Sequence, residues 1–308
     1  MKGPPGQRLS GSSLEIIAPA LFVLLWSSGF IGPMYILPFA SPFTSMAVRF
    51  GIATFLLICF ILARKISFRL TKNQIFTSLF TGITLHTIYV GCIFYALVEK
   101  TPASSLALII CLQPILISIF YVLVMKEAIR VRQVVGLILS VAGVAFLFVP
   151  RVFFDGTSNH GSGLGIALSF IALFSGVGGT IIQKEYAKSI PSVPGMLIQY
   201  GFTFIISLTV SFFFESHEII WNLRFMLGTA WTIFALSLGS VVLYYRLLQQ
   251  NSAIKVSNLL FLLPIFTTIL QFLFFRVQIG ANSYIGIALV SSGVWIALRE
   301  RVAFAKVA

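Results

Sequence analysis

Apolar runs of about 20 residues, divided by short polar links, make up most of the chain, and about 20 residues is what a helix needs to cross the hydrocarbon core of a bilayer. Ten such runs are read, at 16–35, 43–63, 74–97, 103–124, 132–149, 163–182, 194–214, 228–248, 254–275 and 282–299. Backbone amides and carbonyls find no partner in lipid, so unbroken runs of this length are predicted to be helices. The fold class expected is an all-α polytopic membrane protein with ten transmembrane helices.

The pattern is stated twice. A shift of 150 positions brings Pro114 onto Pro264, Ala103 onto Ala253, Leu112 onto Leu262 and Ile115 onto Ile265. The register extends to Met46 and Met196, Gly51 and Gly201, Tyr95 and Tyr245, Gly136 and Gly286, and Gly143 and Gly293, without a gap. Self-similarity on this scale predicts two copies of one five-helix unit, 1–150 and 151–308. Five crossings is an odd number, so the second copy enters the membrane from the opposite face and the repeat is inverted. The links agree: the one after the second run holds Arg64, Lys65, Arg69 and Lys72, whereas its counterpart after the seventh holds Glu215, His217, Glu218 and Arg224. Inverted halves of this kind build transporters, with the solute site near the midplane where they meet. The polar stretch from Pro150 to Ser162, with Asp155, Gly156, Asn159 and Gly161, is the natural joint between them.

Composition narrows the class. A length of 308 residues would suit two soluble domains, but a hydrophobic fraction of 58% with 9% charged residues excludes them, and the mean hydropathy is +1.01. A net charge of +13 would point to nucleic acid in a soluble protein. Here the basic residues lie between apolar runs and set topology instead, so no nucleic-acid partner is expected. Sixteen of the 21 basic residues fall on the face of the N-terminus, against Lys100, Arg151, Arg224 and Arg276 opposite and Arg49 inside a run. Both termini are therefore expected in the cytoplasm, of a bacterial inner membrane. The first apolar run is span-length, which separates MKGPPGQR and the run after it from a signal peptide. Cys59, Cys92 and Cys111 all sit within apolar runs and suggest no disulfide framework.

Several residues in the runs are candidates for chemistry. Pro114 and Pro264 lie near mid-bilayer and free the carbonyls of Ile110 and Leu260; they are read as a symmetric pair of hinges or as tolerated prolines. Arg49, about 10 Å below the outer surface at 1.5 Å per residue, is read as a gate or as a structural anchor. His86 and Tyr89 share one helical face, offering a donor, an acceptor and an aromatic wall to a solute, or serving as satisfied packing. Trp26 and Ser27 in the first run and Phe174 in the sixth place aromatics beside small residues, as suits an amphipathic solute; small residues equally serve helix packing. Gln113, Asn258 and Gln271 are further polar candidates, and Gly136, Ser140 and Gly143 form a packing seam.

Enzyme chemistry is not supported. Paired carboxylates, metal-spaced His or Cys and a glycine-rich phosphate loop do not occur, so no cofactor and no metal are expected. All eight acids lie at run ends or in links. An ion-coupled carrier keeps a carboxylate in the membrane as a rule, so facilitated diffusion or exchange is expected, with His86 the one group in a run able to titrate.

The sequence resembles the EamA-type members of the drug/metabolite transporter superfamily. The resemblance rests on Trp26-Ser27-Ser28-Gly29-Phe30, on Pro42 to Arg49-Phe50, and on Ala96 to Arg130. That last piece includes Thr101-Pro-Ala-Ser, Gln113-Pro114 and Lys126-Glu127, where the family often has Gly-Glu. It implies ten spans in two inverted five-span repeats, with spans 1, 3, 4, 6, 8 and 9 around a cavity and spans 5 and 10 outside it. Four-span relatives that expel cationic drugs rely on a glutamate in their first span, and this chain has Glu15 at the span edge. The expected function is alternating-access transport of small organic metabolites, aromatic or amphipathic amino acids first among them, by a monomer. A proton-coupled multidrug or metabolite exporter is the alternative, and a membrane-embedded enzyme or scaffold a remote one.

Overall fold

The structure, a computed structural model, describes residues 11–127, 130–153, 162–187, 189–276 and 282–298. The joint expected between the halves, with Asp155, Gly156, Asn159 and Gly161, lies outside the described residues, as do Lys2, Arg8 and the basic C-terminal end used for the orientation. Regular structure among the described residues is helical, apart from one isolated antiparallel bridge between Ala40 and Ile219.

Among the described residues, seven helices are long and apolar enough to cross a bilayer: α1 (Ile17–Ile36), α2 (Pro42–Arg64), α3 (Lys72–Val98), α7 (Gly163–Glu185), α8 (Ser192–Phe214), α9 (Leu223–Gln250) and α10 (Ala253–Phe275). Between α3 and α7 run the shorter α4 (Ala103–Ile110), α5 (Gln113–Leu123) and α6 (Val131–Phe153), and α11 (Asn282–Leu298) closes the described chain. Outward faces stay apolar, as Phe55, Leu62, Ile205 and Phe212 show by their exposure, and lipid tails are a suitable solvent for them.

The run expected to be one helix over 103–124 is two, divided at Cys111 and Leu112. Proline explains the division. Pro114 has no N–H to return to the carbonyl of Ile110, and the chain tightens around the gap, with Leu112 N bonding Ile109 O at 3.1 Å and Ile115 N bonding Leu112 O at 3.0 Å. The same device recurs at the repeat distance, where Leu259–Leu262 winds as a 3₁₀ turn just before Pro264.

A second paired irregularity escapes the sequence pattern. Gly82–Ile88 inside α3 and Thr232–Ser240 inside α9 wind as π-helix. Wide i→i+5 turns are rare and release carbonyls from the ordinary ladder. Side chains of other helices take them: Ser175 Oγ donates to Thr84 O at 2.8 Å, Thr203 Oγ1 to Gly82 O at 3.3 Å, and Tyr200 OH to Ser237 O at 2.5 Å.

Helices related by the 150-residue shift pack on each other. α2 lies along α8, and α6 along α11; α7 rests on α3 as α1 rests on α9. The α6–α11 contact is backbone against backbone. A Cβ on Gly136 would stand 2.5 Å from Gly293 O, and one on Gly143 2.6 Å from Val290 N, so these glycines set the interhelical distance. In the same way Gly82 admits the backbone of Gln199, where a Cβ would fall 2.9 Å from its carbonyl.

Candidate functional site

Where α1, α2, α3 and α9 meet, the helices leave a narrow cavity of about 60 Å³. Three of these helices come from the first copy of the repeat and one from the second. Trp26, Gly29 and Phe30 face it from α1, Arg49 from α2, His86, Tyr89 and Phe94 from α3, and Leu236 and Ser240 from α9. By that measure a water needs about 10–15 Å³. The cavity therefore holds a few waters in this conformation, and an aromatic metabolite enters only if the walls part.

The π segments bring the polar groups to this place. His86 lies in the first, and its Nε2 is 3.2 Å from Gln199 Oε1 and 3.3 Å from Tyr245 OH. Tyr245 OH donates to the same Gln199 oxygen, so its proton is committed and His86 Nε2 is the donor in its own bond. Gln199 Nε2 in turn donates to Gln183 Oε1 at 3.4 Å. Ser237 lies in the second π segment and accepts from Arg49 Nε at 2.9 Å. The guanidinium carbon stands 5.0 Å above the Phe50 ring, and Phe50 and His86 both contact Tyr200, at centroid distances of 5.3 and 4.9 Å. One residue from each repeat thus reaches across to a π segment of the other: Arg49 to Ser237, and its counterpart Gln199 to His86.

An aromatic wall adjoins the network. Trp26 is tilted against Phe22 and Tyr244 with centroids 5.2 and 5.1 Å apart. Tyr244 OH shares a hydrogen bond with Thr180 Oγ1, which also accepts from Gln113 Nε2 at 3.1 Å.

Of the residues singled out in the sequence, Trp26, Arg49, His86 and Tyr89 stand together at the cavity. Gln113 is buried one layer away against Thr180. Ser27 and Asn258 are buried outside the lining, and Ser27 Oγ and Asn258 Oδ1 have no hydrogen-bond partner among the described residues. Phe174 is a correction. It is 61% exposed and turned away from the cavity. Gly176 and Gly179 bring α7 against Tyr89 and Leu85, where a Cβ would fall 3.0 and 2.5 Å from those side chains, and position 174 lies about half a turn round the helix from that face. The sequence reading missed Gln199 as a network centre, together with Tyr200, Ser237 and Tyr245. The repeat register carried a signal for two of them, since Gln199 is the counterpart of Arg49 and Tyr245 that of Tyr95.

Both ends of the helix bundle are tied by carboxylates. Glu215, just past α8, accepts from the N–H groups of Phe43 and Thr44 at 2.9 and 2.8 Å, and from Tyr95 OH at 2.6 Å. It thereby satisfies amides that the first turn of α2 leaves open. At the other end Tyr121 OH donates to Glu185 Oε1 at 2.5 Å. A second groove of about 520 Å³, lined by Leu24, Tyr35, Leu227 and Trp231 among others, is almost wholly apolar. The polar side chains on its lining include Arg224 and Ser28, and Ser28 Oγ accepts from Trp231 Nε1 at 2.9 Å.

The model of the EamA-like transporter family matches the chain twice, over residues 13–149 and 163–299. Similar proteins include the uncharacterized transporter YvbV of Bacillus subtilis (strain 168), 25% identical over 283 residues that cover 89% of this chain and 88% of that one. A WAT1-related chloroplastic protein of Arabidopsis thaliana is 23% identical over 299 residues, covering 93% of this chain and 70% of its own length. A solved crystal structure shares the fold with a TM-score of 0.72 at 18% identity, over 91% of this chain and 96% of that chain.

Proposed function

Because the chain belongs to the EamA-like transporter family, we propose that it carries small organic metabolites, aromatic or amphipathic amino acids foremost, across a bacterial inner membrane by alternating access. The observation that carries this reading is the composition of the cavity. Trp26, Phe30, Tyr89 and Phe94 offer an apolar body its walls, and Arg49, His86 and Ser240 offer polar contacts, from helices of both repeats.

We take the architecture to be ten spans in two inverted halves, 1–150 and 151–308, with both termini cytoplasmic and a monomer as the working unit. Support comes from the contacts between helices 150 residues apart, from the paired π segments and paired proline breaks, and from the excess of basic residues on one face. The breaks at Pro114 and Pro264 are taken as pivots, since each interrupts its helix at the same register of the repeat. No enzymatic step is assigned to the chain.

Transport in this reading is facilitated diffusion or exchange. Glu99, Glu127, Glu185, Glu215 and Glu218 all lie at helix ends or in links, and Glu99, Glu185 and Glu215 accept hydrogen bonds there. Purified protein in liposomes is expected to move labelled phenylalanine faster than empty vesicles, at a rate indifferent to an imposed pH gradient. Rates equal to those of empty vesicles contradict the transport reading for this class, and strong acceleration by the gradient favours the proton-coupled exporter.

A further inference from the structure

Arg49 is 7% exposed, and its one hydrogen bond among the described residues runs from Nε to Ser237 Oγ at 2.9 Å. The two terminal amines of the guanidinium have no hydrogen-bond partner there, and the residue lines the cavity. An uncompensated charge is costly in the interior of a membrane protein, and such a charge persists where a counter-ion visits. No acid of the chain fills that role among the described residues: Glu99, Glu185 and Glu215 have hydroxyl or amide donors at the helix ends.

We infer that Arg49 is a carboxylate anchor: the solute of this cavity docks a carboxylate end-on against the guanidinium, and an ammonium group on the same solute is dispensable. The inference rests on the transport reading above and names the chemistry its substrate must carry. Ser237 and the Phe50 ring hold one edge and one face of the guanidinium. The end-on pair of amines is left free, and a planar fork of two N–H donors matches a carboxylate. Around it stand aromatic side chains suited to an apolar body, and no acidic side chain lines the cavity to receive an ammonium. The repeat counterpart of Arg49 is the neutral Gln199, already engaged with His86 and Tyr245. The cavity therefore has one anion position rather than two.

The test uses the purified full chain in liposomes with four labelled probes of one size: 3-phenylpropionate, phenylalanine, 3-phenylpropionamide and phenethylamine. The wild type is expected to carry the two carboxylates and to discriminate against the amide and the amine. Arg49→Gln is expected to lose carboxylate uptake by about thirtyfold or more, the size of effect seen when one partner of a buried charge pair is truncated, and Arg49→Lys to retain part of it. A role in packing alone would lower the yield of folded protein without altering the order of the four probes. If Arg49→Gln does not give monodisperse protein, Ser237→Ala decides: it keeps the charge and frees its orientation, so half-saturation for both carboxylates should rise severalfold. The inference is overturned if the amine or amide moves as well as 3-phenylpropionate. It is equally overturned if folded Arg49→Gln, or in its place Ser237→Ala, carries 3-phenylpropionate as the wild type does. If the wild type moves none of the four, the transport reading for aromatic solutes fails, and the anchor with it.

Discussion

Gly29→Phe is expected to abolish transport while leaving a folded protein. Gly29 lines the cavity, and a Cβ added there meets Leu236 at 3.5 Å, an ordinary contact. The first atom is therefore tolerated, and a glycine removed from a helix improves its intrinsic propensity. The ring beyond it has to enter a cavity with room for only a few waters, and so obstructs it. Gly178→Phe is the matched control, because among the described residues nothing stands within 4 Å of a Cβ at that position on α7. Uptake of labelled phenylalanine should vanish in the first variant and persist in the second, with equal elution profiles in detergent. Equal uptake by both would place the solute path elsewhere.

Gln199→Leu is expected to be the most damaging single change at the network. Its oxygen accepts from both His86 Nε2 and Tyr245 OH, and its amide donates to Gln183. Leucine leaves the Tyr245 hydroxyl proton buried without an acceptor, while His86 Nε2 keeps only the Tyr245 oxygen at 3.3 Å, at a cost of about 1–3 kcal/mol. Removing Tyr245 OH as well takes away one orphan, so Gln199→Leu with Tyr245→Phe should lose less than the sum of the two single changes. Melting temperatures of the four proteins in one detergent check this. Strict additivity would mean that Gln199 and Tyr245 are not coupled.

Much of the fold was legible because membrane burial writes itself into the sequence as unbroken apolar length, and duplication as a fixed register. The seam of Gly136 and Gly143 against α11 was legible for the same reason, since small residues at helical spacing have few other uses in lipid. The π segments were not. Their wide turns depend on acceptors being claimed by Ser175, Tyr200 and Thr203, side chains remote in sequence whose approach no local pattern records. The site divided along the same line. Trp26, Arg49, His86 and Tyr89 stood out as polar or amphipathic residues in apolar runs, and all four reach the cavity. Facing was the harder question. Phe174 was read as an inward aromatic by its neighbours in sequence, whereas Gly176 and Gly179 decide which side of α7 approaches α3. Gln199 and Ser237 look like ordinary packing residues until the partner helix is in place.

Access to the cavity from both sides of the membrane is the central claim, and Ser240 tests it most directly. Ser240 is 1% exposed and lines the cavity, and cysteine replaces serine with little change of shape. With Cys59, Cys92 and Cys111 replaced by serine or alanine, Ser240→Cys in sealed, oriented vesicles should be modified by a membrane-impermeant thiol reagent from either face, and phenylalanine should slow the reaction from both. Modification from one face alone, unaffected by the solute, would contradict alternating access through this cavity.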